Sequence, residues 1–102
     1  MDRIAIVKVD VEVVAAGVRA GRIIGSYVYN DDMEDIGSVD DLMISEDDRV
    51  EFAILSVGGF LGLGAHLVAV RFDSLQTDQA GRLVLPGASR EELGRLPEFK
   101  YR

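Results

Sequence analysis

The sequence of 102 residues contains no cysteine. This absence excludes disulfide bonds, thiolate ligands for zinc and a cysteine nucleophile. A small domain without such crosslinks depends on its core or on a partner chain for stability. We therefore expect the fold to be stabilised by apolar packing, by association with another chain, or by both.

Long apolar runs are also missing from the sequence. No stretch approaches the ~20 consecutive apolar residues that a membrane-spanning helix needs. Near the N-terminus, Asp2, Asp10 and Glu12 interrupt the apolar run that a secretory signal peptide requires. We therefore expect a cytoplasmic protein that does not insert into a membrane.

Clusters of basic residues are absent, and the formal net charge is -7 at pH 7. Binding to nucleic acid depends on grouped Lys and Arg side chains that displace counterions from phosphates. In this chain the basic residues are scattered singly, whereas acidic residues cluster at positions 31–35, 40–41 and 46–48. We therefore expect neither nucleic acid nor an anionic membrane surface as a partner.

The residues that are present fit one domain, 1–102, with 48% apolar and 28% charged residues. Near the N-terminus, apolar side chains occupy every odd position from 5 to 13, and Lys8, Asp10 and Glu12 lie between them. This alternation predicts a β-strand with one buried face. Residues 1–16 are then either the first strand of the domain or a detached strand that pairs with its own sheet or with a neighbouring subunit.

Turn signals divide the rest of the chain into short strands, which is typical of an all-β sandwich or barrel. The predicted strands are 26–29, 36–44, 50–57 and 66–72, with a closing hairpin of 76–77 and 82–85. Gly37 indicates a β-bulge or a close approach of two backbones. Residues 50–57 are apolar on both faces, which indicates a closed barrel or a sheet face covered by another subunit. Ser89 and Glu92 form a capping box that begins a helix of about two turns before Pro97.

The order of several short motifs resembles the PRC-barrel family. The matching stretches are Arg22-Ile23-Ile24-Gly25, Val28-Tyr29-Asn30, residues 36–44, Arg49-Val50, residues 57–64, Val68-Ala69-Val70 with Phe72, and residues 97–101. The resemblance implies an all-β fold: a small, partly open PRC-type β-barrel of about six strands with a short C-terminal helix. The family includes the cytoplasmic domain of the photosynthetic reaction-centre H subunit and the C-terminal domain of a ribosome-maturation factor. This chain resembles the stand-alone type, for which the family implies adaptor behaviour and no known reaction.

The glycine-rich segment between the third and fourth of these strands, residues 58–64, is the first candidate site. It does not match a phosphate-binding loop, because a strand follows it and no Gly-Lys-Ser/Thr sequence is present. We interpret the segment as a tight corner of the barrel. Where its side chains are exposed they form the predicted partner-binding patch, which comprises Gly59, Phe60, Leu61, Gly62 and Leu63.

His66 is the only histidine and therefore a candidate general base. It begins an apolar strand with no adjacent serine or acidic residue, so we interpret it as a residue of the barrel rim. The acidic turns lack the spacing of a calcium loop and are interpreted as solvated turns. Asp40 and Asp41 fall within a strand, where one carboxylate faces inward and needs backbone N–H donors unless a bulge intervenes.

These observations predict a non-catalytic protein-interaction or assembly module without catalytic residues, cofactors or a metal site. The sequence does not specify the protein partner, and we expect a homodimer or a higher homo-oligomer. Two alternatives stay open at this point. One is a barrel that binds a small ligand or a divalent metal, and the other is a hydrolase that uses His66 with an acidic residue.

Overall fold

The computed structural model describes residues 6–58 and 65–102, which form three short helices, six strands and one 3-10 turn. The helices are α1 (Val11–Ala15), α2 (Ala20–Ile23) and α3 (Arg90–Gly94). The strands are β1 (Tyr27–Tyr29), β2 (Asp35–Ile44), β3 (Val50–Gly58), β4 (Ala65–Arg71), β5 (Gln76–Thr77) and β6 (Leu83–Val84). The 3-10 turn, Phe72–Ser74, connects β4 to β5. None of the helices in the described ranges is long and apolar enough to cross a membrane.

The six strands form one sheet in the order β4-β3-β2-β1-β6-β5. Neighbouring strands are antiparallel except for β1 and β6, which run parallel. The sheet does not close, because β4 and β5 each have a neighbouring strand on one side only. The predicted fold class, a small and partly open all-β barrel with a short C-terminal helix, is confirmed.

The core lies against one face of this sheet. Strand β3 supplies Ala53, Leu55 and Val57, which share a face because alternate strand residues point the same way. Helix α3 packs Leu93 against them, and its predicted capping box is present, with Ser89 Oγ accepting a hydrogen bond from Glu92 N at 3.1 Å. The helix ends at Gly94 and is thus shorter than predicted. The buried cluster comprises Val28, Ile36, Val39, Ala53, Leu55, Val57, Val68, Leu85 and Leu93.

Gly37 lies where β2 passes between β1 and β3, and the backbones approach closely there. A Cβ atom at this position would lie 2.7 Å from the carbonyl oxygen of Ser56 in β3. On the other side Gly37 pairs with Val28, and the register of β1 against β2 shifts immediately afterwards. The close approach predicted from the glycine is confirmed.

The predicted first strand at residues 5–13 is wrong for the described part of that segment. Residues 6–10 have no regular secondary structure, and Val11–Ala15 form α1 instead. Asp10 begins this helix, because its Oδ1 accepts a hydrogen bond from Glu12 N at 3.0 Å. A strand would need a neighbour for its N–H and C=O groups, and no strand among the described residues pairs with this segment.

The C-terminal segment explains why β3 is apolar on both faces. Phe99 N donates to Leu67 O in β4 at 2.7 Å, and Tyr101 Oη donates to Asp40 Oδ2 in β2 at 2.6 Å. Because β3 lies between β4 and β2, the segment must cross β3. Ile54, whose side chain points away from the core cluster, is accordingly fully buried. The face was expected to lie inside a closed barrel or under another subunit, but the two hydrogen bonds to the flanking strands place the chain's own C-terminal segment over it.

Tyr101 is expected to make stability depend on pH in the alkaline range. Partial burial of the phenol and its hydrogen bond to the Asp40 carboxylate raise the pKa of Tyr101 above its ordinary value. The folded chain therefore keeps this proton to higher pH than the unfolded chain does. The resulting stabilisation is fully present below the ordinary tyrosine pKa of about 10 and is lost as pH rises through the folded-state value.

The variant Tyr101→Phe should therefore be less stable than the wild type at pH 8, by about 1 kcal/mol for one lost hydrogen bond. The difference between the two proteins should shrink as pH rises above about 10. Urea unfolding of both proteins between pH 8 and 11 measures it. A constant difference across this range would mean that the phenol proton does not stabilise the C-terminal segment.

Candidate interaction surface

The N-terminal segment, residues 6–18, exposes an unusual amount of apolar surface. Its large apolar side chains are 61–103% exposed, and α1 buries none of its residues. Several exposed apolar side chains grouped in one short segment mark a candidate site of interaction. The exposed side chains are Ile6, Val7, Val9, Val11, Val13, Val14 and Val18.

Helix α1 within this segment is marginal by its composition and length. It has five residues, of which three are valines. Valine loses side-chain freedom in a helix and favours extended structure. Isolated helices shorter than about 12 residues are unstable in water without tertiary packing, and α1 has no buried residue to supply it. The segment can therefore change to an extended conformation at little cost.

An apolar groove of about 590 Å³ opens on the side where the sheet fails to close. The connection between the two edge strands contributes Phe72 and Leu75, and the floor includes Ile23, Leu42 and Leu83. The remaining lining residues are Val18, Ala20, Arg22, Ser26, Val50, Thr77 and Gly81. Several of the apolar side chains pack against the core on one side and face the groove on the other. The groove is thus a built part of the barrel rather than a surface irregularity.

Arg22 gives this groove a local positive charge. It lines the groove from α2, and its guanidinium makes no ion pair with any residue in the described ranges. An exposed guanidinium beside apolar surface favours a partner that combines an apolar face with a carboxylate. The net charge of the whole chain is negative, so the charge that Arg22 brings to the groove is opposite in sign to the charge of the chain.

The predicted partner-binding patch lies outside the described residues. This applies to Gly59, Phe60, Leu61, Gly62 and Leu63 alike. The strands on either side of it are described, and they pair up to Gly58 and Ala65, the last residues before the gap. The patch therefore connects two paired antiparallel strands, and its role in partner binding stays a prediction.

His66 contacts the C-terminal segment. Its Nε2 lies 3.2 Å from the carbonyl oxygen of Leu96, so this nitrogen carries the proton in that hydrogen bond. Its Nδ1 lies 3.7 Å from a carboxylate oxygen of Glu98. Together with the bond from Phe99 to Leu67, these contacts attach the C-terminal segment along the edge of β4. In the described chain, the contacts of His66 hold the C-terminal segment against β4.

The acidic residues mostly accept local hydrogen bonds. Asp31 Oδ2 accepts from Gly87 N at 2.7 Å, which ties the first hairpin to the loop before α3. Asp41 Oδ1 accepts from its neighbour Leu42 N, as predicted for a strand carboxylate, and the register of β2 against β3 shifts around Asp40. In residues 6–58 and 65–102, no group of three or more His, Cys, Asp or Glu side chains is placed to hold a metal ion.

Asn30 is the buried polar residue of the first hairpin. Its Oδ1 accepts hydrogen bonds from Asp32 N and Glu34 N, and its Nδ2 donates to Glu34 Oε1, all at 3.0 Å. Turn-forming asparagines make this pattern with their own backbone. The acidic turn around Asn30 is thus held by hydrogen bonds of the asparagine side chain.

The sheet order, the single core and the open groove define a small β-barrel domain. A family model for the PRC-barrel domain matches residues 16–89, which is more than half of the chain. The chain therefore belongs to the PRC-barrel family, as its motifs indicated. No curated protein matches the chain. The family match covers the sheet and the groove residues, whereas most of the exposed N-terminal segment and the C-terminal segment lie outside it.

Sequence reasoning missed the groove and Arg22. The lining residues come from α2, β2, β3, the 3-10 turn, β5 and β6, so no local pattern brings them together. The exposed N-terminal segment did have a signal, the regular alternation of apolar and charged residues. That alternation predicted an extended strand, but it carried no information on where the strand would find its partner.

Proposed function

We propose that this protein is a non-catalytic interaction module that assembles with another protein chain. The observation that carries the proposal is the exposed apolar segment at residues 6–18, whose large apolar side chains are largely open to solvent in the described chain. Leaving such surface in water is unfavourable by about 25 cal/mol per Å². A partner that covers the segment recovers this free energy.

The predicted patch at Phe60 and Leu61 is a second contact surface within the same proposal. The sequence there places a phenylalanine and two leucines between glycines. Aromatic side chains of this kind frequently dominate binding energies. Membership of the PRC-barrel family supports a small barrel module, and the patch and the segment give it surfaces with which to bind.

Deletion of residues 1–16 tests the proposal. We expect the shortened chain to lose association, measured by sedimentation velocity over a range of concentrations and by quantitative capture of proteins from native lysate. The sheet should remain folded, because α1 contributes no buried residue, and far-ultraviolet circular dichroism checks this. The variant Phe60→Glu in the full chain should reduce the same readouts without unfolding the barrel.

His66→Ala is the matched control, since it alters the only histidine and leaves both apolar surfaces intact. We expect this variant to associate as the wild type does. If the wild type, the shortened chain and Phe60→Glu were all monomeric and captured the same proteins, the proposed function would be wrong.

A further inference from the structure

We propose that the groove binds the N-terminal segment of a second copy of this chain, which docks in extended form through residues 6–14. This inference rests on the proposed function and names the partner. The two surfaces match in chemistry, because one is an apolar groove and the other, in extended form, has a continuous apolar face. Within one chain they do not meet, since the side chains of residues 6–14 stay exposed.

The first argument is the alternation of the segment. In extended form Val7, Val9, Val11 and Val13 would share one face, and Lys8, Asp10 and Glu12 the other. In the described chain residues 6–10 have no regular secondary structure, and α1 buries none of its residues. The sequence is therefore better suited to a docked strand than to the helix that it forms without a partner.

The second argument is the position of the groove beside a free sheet edge. Strand β5 is the last strand of the sheet, with a neighbour only on its β6 side, and Thr77 of β5 lines the groove. An extended segment lying in the groove can therefore pair with the outer edge of β5 while its apolar face covers Leu75 and Phe72. Strand addition at an open edge supplies main-chain hydrogen bonds together with side-chain pockets.

The third argument is charge. In extended form Asp10 and Glu12 lie on the face opposite the docked valines, so both carboxylates stay in solvent when the valine face enters the groove. Docking therefore buries no unpaired carboxylate, which would otherwise oppose it.

The fourth argument selects a second copy over the chain's own segment. Val18 lines the groove, but none of residues 6–14 does, and the large apolar side chains of residues 6–14 stay exposed. The radius of gyration is 16.2 Å, whereas a compact chain of this length has about 13 Å.

The fifth argument is the area available. The docked face of Val7, Val9, Val11 and Val13 presents on the order of 400 Å² of surface, about half of what one partner buries in a standard-size interface. In a reciprocal exchange each copy buries both its own segment and its own groove, so a closed two-fold dimer roughly doubles the area per partner.

Disulfide trapping tests the docking directly, because the chain has no cysteine of its own. One population carries Val7→Cys, Val9→Cys or Val11→Cys, and a second population with a larger tag carries Leu75→Cys. After mixing under mild oxidation we expect a mixed-size disulfide dimer on a non-reducing gel for at least one of the three positions. The matched control replaces Leu75→Cys with Glu91→Cys, an exposed position on α3 away from the groove, and should give little crosslink.

A second measurement uses sedimentation equilibrium. The variant Val9→Glu should raise the dimer dissociation constant at least tenfold, because it places a charge on the docked apolar face. The variant Lys8→Glu introduces the same residue one position earlier, on the opposite face, and should change the constant by no more than about threefold.

The outcomes separate this inference from the proposed function. Docking onto a second copy would be overturned if none of the three cysteine positions crosslinked above the Glu91→Cys control. It would also be overturned if a double variant, with one of these cysteines and Leu75→Cys in the same chain, formed its disulfide within single chains. If the wild type is monomeric but loses a captured protein on deletion of residues 1–16, the proposed function stands and this inference fails. If neither association nor capture depends on the segment, both are wrong.

Discussion

Replacing Gly37 with alanine is expected to lower the free energy of unfolding by about 3 kcal/mol. A Cβ atom there would lie 2.7 Å from the carbonyl oxygen of Ser56, closer than non-bonded atoms can be. Strand β2 is held on both sides, by β1 at Val28 and by β3 at Ser56 and Leu55, so neither neighbour can move away cheaply. The backbone φ of +156° is also disfavoured for a residue with a side chain.

The matched control is Gly94→Ala in α3. A Cβ atom at Gly94 meets no atom within 4 Å, and the residue belongs to a helix, so alanine should be neutral or stabilising by up to about 1 kcal/mol. In urea unfolding, the midpoint of Gly37→Ala should therefore fall, whereas the midpoint of Gly94→Ala should rise or stay unchanged. If Gly37→Ala unfolded at the same midpoint as Gly94→Ala, the close approach of β2 and β3 would be wrong.

Gly37 also shows which parts of the fold are readable from the sequence. A glycine inside an otherwise apolar strand indicates that a side chain would not fit there. In the structure the atom that leaves no room is the carbonyl oxygen of Ser56. The Ser89 capping box and the hairpin of β5 and β6 are readable for the same reason, since each depends on residues within a few positions of one another. Turn chemistry and period-two alternation therefore place most strands.

Features that depend on distant residues are not readable in this way. The parallel pairing of β1 with β6 joins residues more than fifty positions apart, and no local pattern encodes it. The N-terminal alternation predicts a strand, but a strand forms only beside a neighbour, and in the described chain Asp10 caps a short helix instead. The groove and its Arg22 arise only when six separate elements come together.

The two ends of the chain differ in whether apolar surface there is buried. At the C-terminus, Phe99 and Tyr101 bond to strands on either side of β3, and Ile54 on the outer face of β3 is fully buried. At the N-terminus, the valines of residues 7–14 are largely exposed in the described chain. Since apolar surface of either kind favours burial, the C-terminal segment serves the fold, and the N-terminal segment is available for a partner.

Deletion of residues 99–102 is therefore expected to destabilise the barrel by about 3 kcal/mol, through exposure of Ile54 and loss of the bonds to Leu67 and Asp40. For a domain of this size that corresponds to a fall in melting temperature on the order of 15 °C. Calorimetry of the shortened and full chains measures it. Removal of Arg102 alone is the control, because this exposed residue lies beyond the last contact of the segment, and the melting temperature should then stay within about 2 °C.

A double-mutant cycle with Ile54→Ala shows whether the loss comes from the covered face. In the full chain Ile54→Ala should cost about 3 kcal/mol, as is usual for a fully buried isoleucine. In the chain without residues 99–102 the same substitution should cost markedly less, since Ile54 is then exposed to water before it is replaced, and the two losses should not add. Equal costs in both chains would mean that Ile54 is buried by something other than the C-terminal segment, whereas a clear interaction energy would establish that segment as the outer layer of the barrel.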